Sequence, residues 1–164
     1  MIKFEMQSGD TIEVELYPEA APKTCENFEK LVRVGFFDGI HFHRIVPGFV
    51  IQGGDPTGTG TGGSKQNIPG EFRAAGVDNN ISHEKGVISM ARSGSYTYGF
   101  DTASSQFFIC LDDSCRALDG YYAAFGRVVS GMDVVDRIAS VPTDNGDYPR
   151  MVTDEILIRH ASIV

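Results

Sequence analysis

Apolar residues alternate with polar ones from the start of the chain, with Ile2, Phe4 and Met6 set against Lys3 and Glu5. After Ser8-Gly9-Asp10 the alternation resumes as Ile12, Val14 and Leu16 against Glu13 and Glu15. A period of two with one apolar face marks half-buried strands, and the glycine turn between them predicts an opening β-hairpin. Pro22 then stands where a helix would begin. Cys25, Phe28, Leu31 and Val32 recur at helical spacing, and Gly35 offers a C-terminal stop, so one amphipathic helix follows the hairpin. Ile40 to Val46 and Phe49 to Ile51 are rich in β-branched and aromatic residues and are parted by the turn dipeptide Pro47-Gly48, which predicts two adjoining strands. Val87 to Ala91, Phe107 to Leu111, Ala123 to Val129 and Glu155 to Ile163 predict four more. Ser130 and Asp133 have the spacing of a capping box ahead of the apolar stripe Met132, Val135 and Ile138, which predicts a second helix.

Strands that do not alternate regularly with helices point away from a parallel sheet. The pattern predicts a mainly β fold, a closed eight-stranded antiparallel β-barrel capped by two α-helices. The 164 residues fit one compact unit, and no repeat, linker or charge block divides them, so residues 1–164 are expected to form a single domain. Glycine supplies 19 residues, about 12% against roughly 7% in an average protein, as a turn-rich fold requires.

A formal net charge of −8 opposes a general electrostatic footprint for a polyanion, so nucleic acid is not an expected partner. No apolar run approaches the ~18–20 residues of a membrane span, and the first residues do not read as an export signal. Cys25, Cys110 and Cys115 are odd in number and lack zinc-like pairing, which suits reduced thiols in a cytoplasmic protein. Gly58-Thr59-Gly60-Thr61-Gly62-Gly63 has the form of a dinucleotide fingerprint, but Ser64 to Gly70 does not begin the helix that would hold a pyrophosphate. His41 and His43 are two ligands without a third, so no metal site is expected. No serine-nucleophile motif is present.

Phe42-His43-Arg44-Ile45-Val46-Pro47-Gly48-Phe49-Val50-Ile51-Gln52-Gly53-Gly54-Asp55 carries the most information. By strand parity Arg44 shares a face with Ile40, Phe42 and Val46, where an arginine is costly unless it is paired or reaches solvent. On the same parity His43 is expected to face the barrel beside Ile45 as a neutral imidazole outside the chemistry. The segment resembles the F-H-R-I-x-P-G-F-x-x-Q-G-G-D signature of the cyclophilin family of peptidyl-prolyl cis-trans isomerases, in its short single-domain bacterial form. Ser89-Met90-Ala91, Ser105 to Ile109, Leu118-Asp119-Gly120 and Phe125 to Val128 match further family blocks in order, so the resemblance spans essentially the whole chain.

The resemblance implies an isomerase of X-Pro bonds that assists protein folding, with Arg44, Gln52 and Phe49 as catalytic residues. It implies substrate contacts from Val50, Ala91, Arg92, Gln106, Phe108, Leu118 and Tyr122, and no metal or organic cofactor. Proline-containing peptides and protein clients are the implied partners of a monomer. The chain departs from the family pattern at four places. Val50 replaces a methionine, Arg92 an asparagine, Ala117 a tryptophan found in many eukaryotic members, and Tyr122 a pocket histidine. The missing tryptophan implies weak cyclosporin affinity. Ser93 to Ser105 is longer than the family pattern, and its Tyr96, Tyr98 and Phe100 either pack onto the protein's own surface or rim the groove and, with Arg92, favour apolar or acidic flanking residues. A binding or chaperone module that holds proline segments without turnover is the alternative, and Arg44 beside Gln52 favours the enzyme. A small-ligand barrel is a third class, without support in the pattern.

Overall fold

In the computed structural model, which describes residues 1–164, β1 (Ile2–Met6) and β2 (Thr11–Leu16) form the opening hairpin with Phe4 opposite Ile12. Helix α1 (Pro22–Arg33) starts on its proline and buries Cys25, Phe28, Leu31 and Val32. Lys30 and Arg33 lie in its last turn, where cations complement the helix dipole. The remaining elements are β3 (Arg44–Val46), β4 (Val50–Gly53), β5 (Val87–Met90), β6 (Phe107–Cys110), β7 (Ala124–Ser130), α2 (Met132–Ile138) and β8 (Ile158–Ile163), with 3₁₀ turns at Arg73–Ala75 and Asp113–Leu118. The strands form one antiparallel eight-stranded sheet in the order β3-β4-β6-β5-β7-β2-β1-β8.

The sheet is curled but open, which corrects the expected closed barrel. The edge strands β3 and β8 share no ladder, and the seam is spanned by the chain ahead of β3, which bonds to the segment leading into β8 and to Ile158 at its start. His41 bridges Leu157, and the Phe42 amide donates to the Ile156 carbonyl at 3.0 Å. Within β3 the Ile45 amide donates to the Asp147 carbonyl, so a loop occupies the edge where β8 would have paired.

Two other local expectations also change. The strand foreseen from Ile40 shortens to Arg44–Val46, because residues 40–42 are used for these seam contacts. Strand parity therefore does not run back from Arg44 to Phe42, and Phe42 joins the main core. Helix α2 has no side-chain cap. Its N-cap is Gly131 at φ +89°, where an added Cβ would strike the Thr11 backbone, so close approach to β2 takes the place of a Ser130–Asp133 capping box.

Phe107 is the centre of the core. Its ring lies 5.7 Å from Phe4, 5.4 Å from Phe28, 5.6 Å from Phe37 and 5.8 Å from Phe42, mostly edge to face. Successive residues of a strand point to opposite faces, so while Phe107 and Ile109 enter this core, Phe108 and Cys110 join a second cluster with Val50, Val87, Cys115 and Ala124. The sheet is thus apolar on both faces in its middle. The Asp113–Leu118 turn, through Cys115, and Tyr122 cover part of the outer face and leave a groove beside Phe108.

One carboxylate organises the chain that borders this groove. Asp55 is 1% exposed and accepts from the Thr57 amide and hydroxyl on one oxygen and from the Gly60 and Gly62 amides on the other. Burial pushes this carboxyl up, but the Thr57 hydroxyl and the three amides outweigh it and hold the pKa down at about 2. A carboxyl depressed from its ordinary ~3.9 stabilises the fold fully above that value, and the contribution is lost as pH falls toward 2. It is worth about 2 kcal/mol at neutral pH. Asp55→Asn is therefore expected to lose about 2 kcal/mol in urea unfolding at pH 7, with the gap to the parent protein closing below pH 4. A constant gap from pH 7 to pH 2.5 would show that the charge is not what holds the loop.

Candidate active site

The register of the sheet assembles the site. Arg44 on β3 lies opposite Gln52 on β4, Gln52 opposite Phe108 on β6, and Phe108 opposite Ser89 on β5. Residues directly opposite share a face, so the cation, the amide and the ring form one row on the outer side of the sheet. An Arg44 Nη1–H donates to Gln52 Oε1 at 3.4 Å, and Gln52 Nε2 donates to Gln106 Oε1 at 2.9 Å. Gln106 Nε2 in turn donates to the Gly60 and Gly62 carbonyls at 3.0 and 2.7 Å. The row ends on the loop that Asp55 holds.

Beside Arg44 a cavity of about 300 Å³ is lined by Phe49, Val50, Phe108, Leu118 and Tyr122. Tyr122 meets Phe108 edge to face at 5.8 Å. Ala91 and Arg92 border the same cavity, so nine of the ten residues expected at the site line it, Arg44, Gln52 and Phe49 among them. The tenth, Gln106, lines an adjoining polar cavity of about 510 Å³. The two cavities meet at Gln52, Gly60, Ala91 and Arg92.

His43 is fully buried, but it ends the groove beneath Gly60 and near Tyr148 instead of facing the barrel core. Neither ring nitrogen has a hydrogen-bond partner. Burial lowers its pKa, only partly offset by Asp55, and the imidazole is neutral as expected.

In the long loop the aromatics follow the self-packing reading more than the rim. Phe100 turns inward onto Phe72, Tyr96 packs against Tyr121 at 4.6 Å, and Tyr98 points to solvent. None of the three lines either cavity. What the loop contributes is a set of carbonyls around Arg92. The Ser93, Ser95 and Tyr98 carbonyls accept from its terminal nitrogens.

Two supports escape sequence reasoning. Behind Phe108, the buried His83 ring lies parallel to it at 6.0 Å, with Nδ1 against Asp119 Oδ1 and Nε2 against the Ser89 hydroxyl, each at 2.8 Å. Burial lowers the His83 pKa against the pull of Asp119, so a neutral ring serves as backing for the pocket wall. Tyr148 reaches the groove from the far end of the chain, its hydroxyl donating to the Thr59 carbonyl at 3.0 Å. His83 leaves no local pattern. Tyr148 lies in a glycine- and aspartate-rich stretch whose position depends on the seam.

An apolar pocket with a guanidinium tethered at its lip can act on a bound group by positioning and charge. Comparison with known proteins places the fold in a family. The profile of the "Cyclophilin type peptidyl-prolyl cis-trans isomerase/CLD" family matches residues 1–163. Peptidyl-prolyl cis-trans isomerase B of Bacillus subtilis is 45% identical over 152 residues, covering 93% of this chain and 96% of the relative. Peptidyl-prolyl cis-trans isomerase-like 1 of Emericella nidulans is 43% identical over 164 residues, covering 99% and 94%. A crystal structure of a Cryptosporidium parvum cyclophilin type peptidyl-prolyl cis-trans isomerase, solved in the presence of the dipeptide Ala-Pro, superposes with a TM-score of 0.85 at 31% identity over 99% of this chain and 98% of that one. On its fold, its groove and these relatives, the chain belongs to the cyclophilin-type peptidyl-prolyl cis-trans isomerases.

Proposed function

We propose that this isomerase turns X-Pro bonds by non-covalent stabilisation of a twisted prolyl amide, with Arg44 as the group that acts on it. The observation that carries the reading is Arg44 tethered to Gln52 at the lip of the apolar cavity. Rotation about the bond breaks amide resonance, which sets a barrier of about 18–20 kcal/mol for peptide bonds in general. In the twisted state the prolyl nitrogen regains its lone pair. A donor that meets this pair stabilises the transition state more than either planar ground state. A guanidinium keeps its charge and offers a rigid fork of donors, so one N–H is held by Gln52 while others reach the nitrogen.

Phe49, Val50, Phe108, Leu118 and Tyr122 grip the ring by burial while the preceding carbonyl swings. Gln106 acts as a positioning residue, since both its N–H groups are committed to loop carbonyls. Ala91 and Arg92 border the path of the substrate backbone. No step transfers a proton, and the mechanism uses no cofactor. The clients are proline-containing segments of peptides and of folding proteins. Three buried free thiols suit a reducing cytoplasm, and the chain is read as a monomer there.

Arg44→Ala is expected to lower kcat/KM in a coupled X-Pro peptide assay by on the order of 10²–10³, with the fold retained by circular dichroism. Wild-type turnover in that variant would favour a module that only holds proline segments. Burial pushes His41, His43 and His83 below the ordinary histidine value, and the proposed step moves no proton, so the rate is expected to be nearly flat between pH 6 and 8. A sigmoid profile in that window, abolished by His43→Gln, would give His43 a chemical role. Ala117 stands exposed on the turn next to Leu118, where no aromatic anchor reaches the pocket rim. Cyclosporin is accordingly expected to bind weakly, and Ala117→Trp to tighten it by tenfold or more in a calorimetric titration.

A further inference from the structure

The charge around the groove is unlike that of the rest of the molecule. Of the nine arginines in this acidic chain, Arg33, Arg116, Arg127, Arg137 and Arg159 each lie within ion-pair distance of a carboxylate. None of those five lines either cavity, nor does Arg150, which has no carboxylate partner and donates to the Thr143 carbonyl. Arg44 and Arg92 do, and no carboxylate lies within 4 Å of them. Arg73, likewise without a carboxylate, lies against Gly120 between Leu118 and Tyr122. No Asp or Glu lines the proline cavity or the polar cavity beside it. The nearby carboxylates are engaged elsewhere, Asp55 with its loop amides, Asp101 with the Gly70 amide, and Asp119 with His83 and Ser82.

Arg92 sits on the ridge between the two cavities. Its guanidinium lies 5.0 Å from the Phe72 ring centre, 5.3 Å from Phe100 and 4.9 Å from Tyr122. Nε donates to the Tyr121 carbonyl, one terminal nitrogen to Ser93 and Tyr98, and the other to Ser95. Four of its five N–H donors are therefore spent, and one is left for a ligand. The carbonyl dipoles temper the charge but carry none of their own, and the three rings keep water from part of the cation. A positive charge is thus held in place at little further entropic cost, facing a cavity whose other polar groups, such as Thr102, Ser104 and Asn67, are neutral.

We propose that Arg92 is a specificity-determining residue that selects X-Pro segments carrying a carboxylate side chain beside the proline. The inference rests on the isomerase reading above for the placement of the proline. The apolar half of the sequence expectation falls away, because Phe100 is used inside the cage and Tyr96 and Tyr98 stand clear of the cavities. The acidic half acquires a location, the polar cavity next to Arg92. Charge, more than hydrogen bonding, makes the selection, since only one donor is free.

The test is kcat/KM for peptides identical except for Glu, Gln or Lys at the positions flanking proline. At low salt the wild-type protein is expected to prefer Glu to Gln by about three- to tenfold on one side of the proline and to disfavour Lys, the scale of a partly exposed ion pair. Added salt is expected to shrink the ratio. Arg92→Gln is expected to bring the Glu/Gln ratio near one, whatever it does to the absolute rates, whereas Arg92→Lys retains most of it. Equal rates for Glu and Gln peptides in the wild type, or a ratio unmoved by Arg92→Gln, would overturn the inference while leaving the isomerase reading intact. Failure to turn over any peptide would instead overturn that reading. Should Arg92→Gln not fold, a wild-type ratio insensitive to salt counts against the inference in the same way.

Discussion

A cation that has to be held still at the edge of an open sheet is the constraint on which the rest of this molecule depends. Arg44 belongs to a three-residue edge strand, and one hydrogen bond to Gln52 would not by itself fix so long a side chain. The fixation comes through Gln52 and Gln106 to the Gly60 and Gly62 carbonyls, and from the amides of those same glycines to Asp55. The loop thus presents carbonyls to the amide row and amides to a buried carboxylate. Small residues are needed there for more than turn geometry. A side chain on Gly62 would collide with Asp55, and one on Gly60 would press on Tyr148, at φ +89°.

The apolar half of the site depends on the middle of the sheet being buried on both faces. Phe107 and Phe108 are consecutive, and their rings point to opposite sides, one into the core and one to the apolar cavity. A wall residue so placed cannot shift without disturbing the strand that also anchors the core. His83, Ser89 and Asp119 stiffen it further by backing the Phe108 ring with a fully partnered imidazole. The proposed catalysis by position requires this rigidity, because a ring that slides would lose the alignment with the tethered donor.

Arg92 joins the two halves. Where the family pattern has an asparagine, this chain has a larger cation, and the longer loop after it supplies the carbonyls that hold it. The two departures are therefore one structural change. Tyr122, a further departure, contributes a ring to the Arg92 cage as well as a wall to the apolar cavity.

Much of the fold could be read along the chain because its cause is local. Alternation in β1 and β2, the helical spacing of Cys25 to Val32 and the turn at Pro47-Gly48 all survive in the structure. A dense motif and its matching blocks brought out ten residues far apart along the chain, and nine of them line one cavity. Sequence by itself thus determined the elements, the family and the chemistry on offer. Tertiary structure decided the rest. Whether β3 meets β8, which way His43 and Phe100 turn, that Gly131 replaces a capping box, and that Asp55, His83 and Tyr148 support the groove all depend on partners distant along the chain. Local periodicity records which face a residue prefers. It holds no record of which neighbour completes that residue's hydrogen bonds, and those partners are chosen only when the sheet curls.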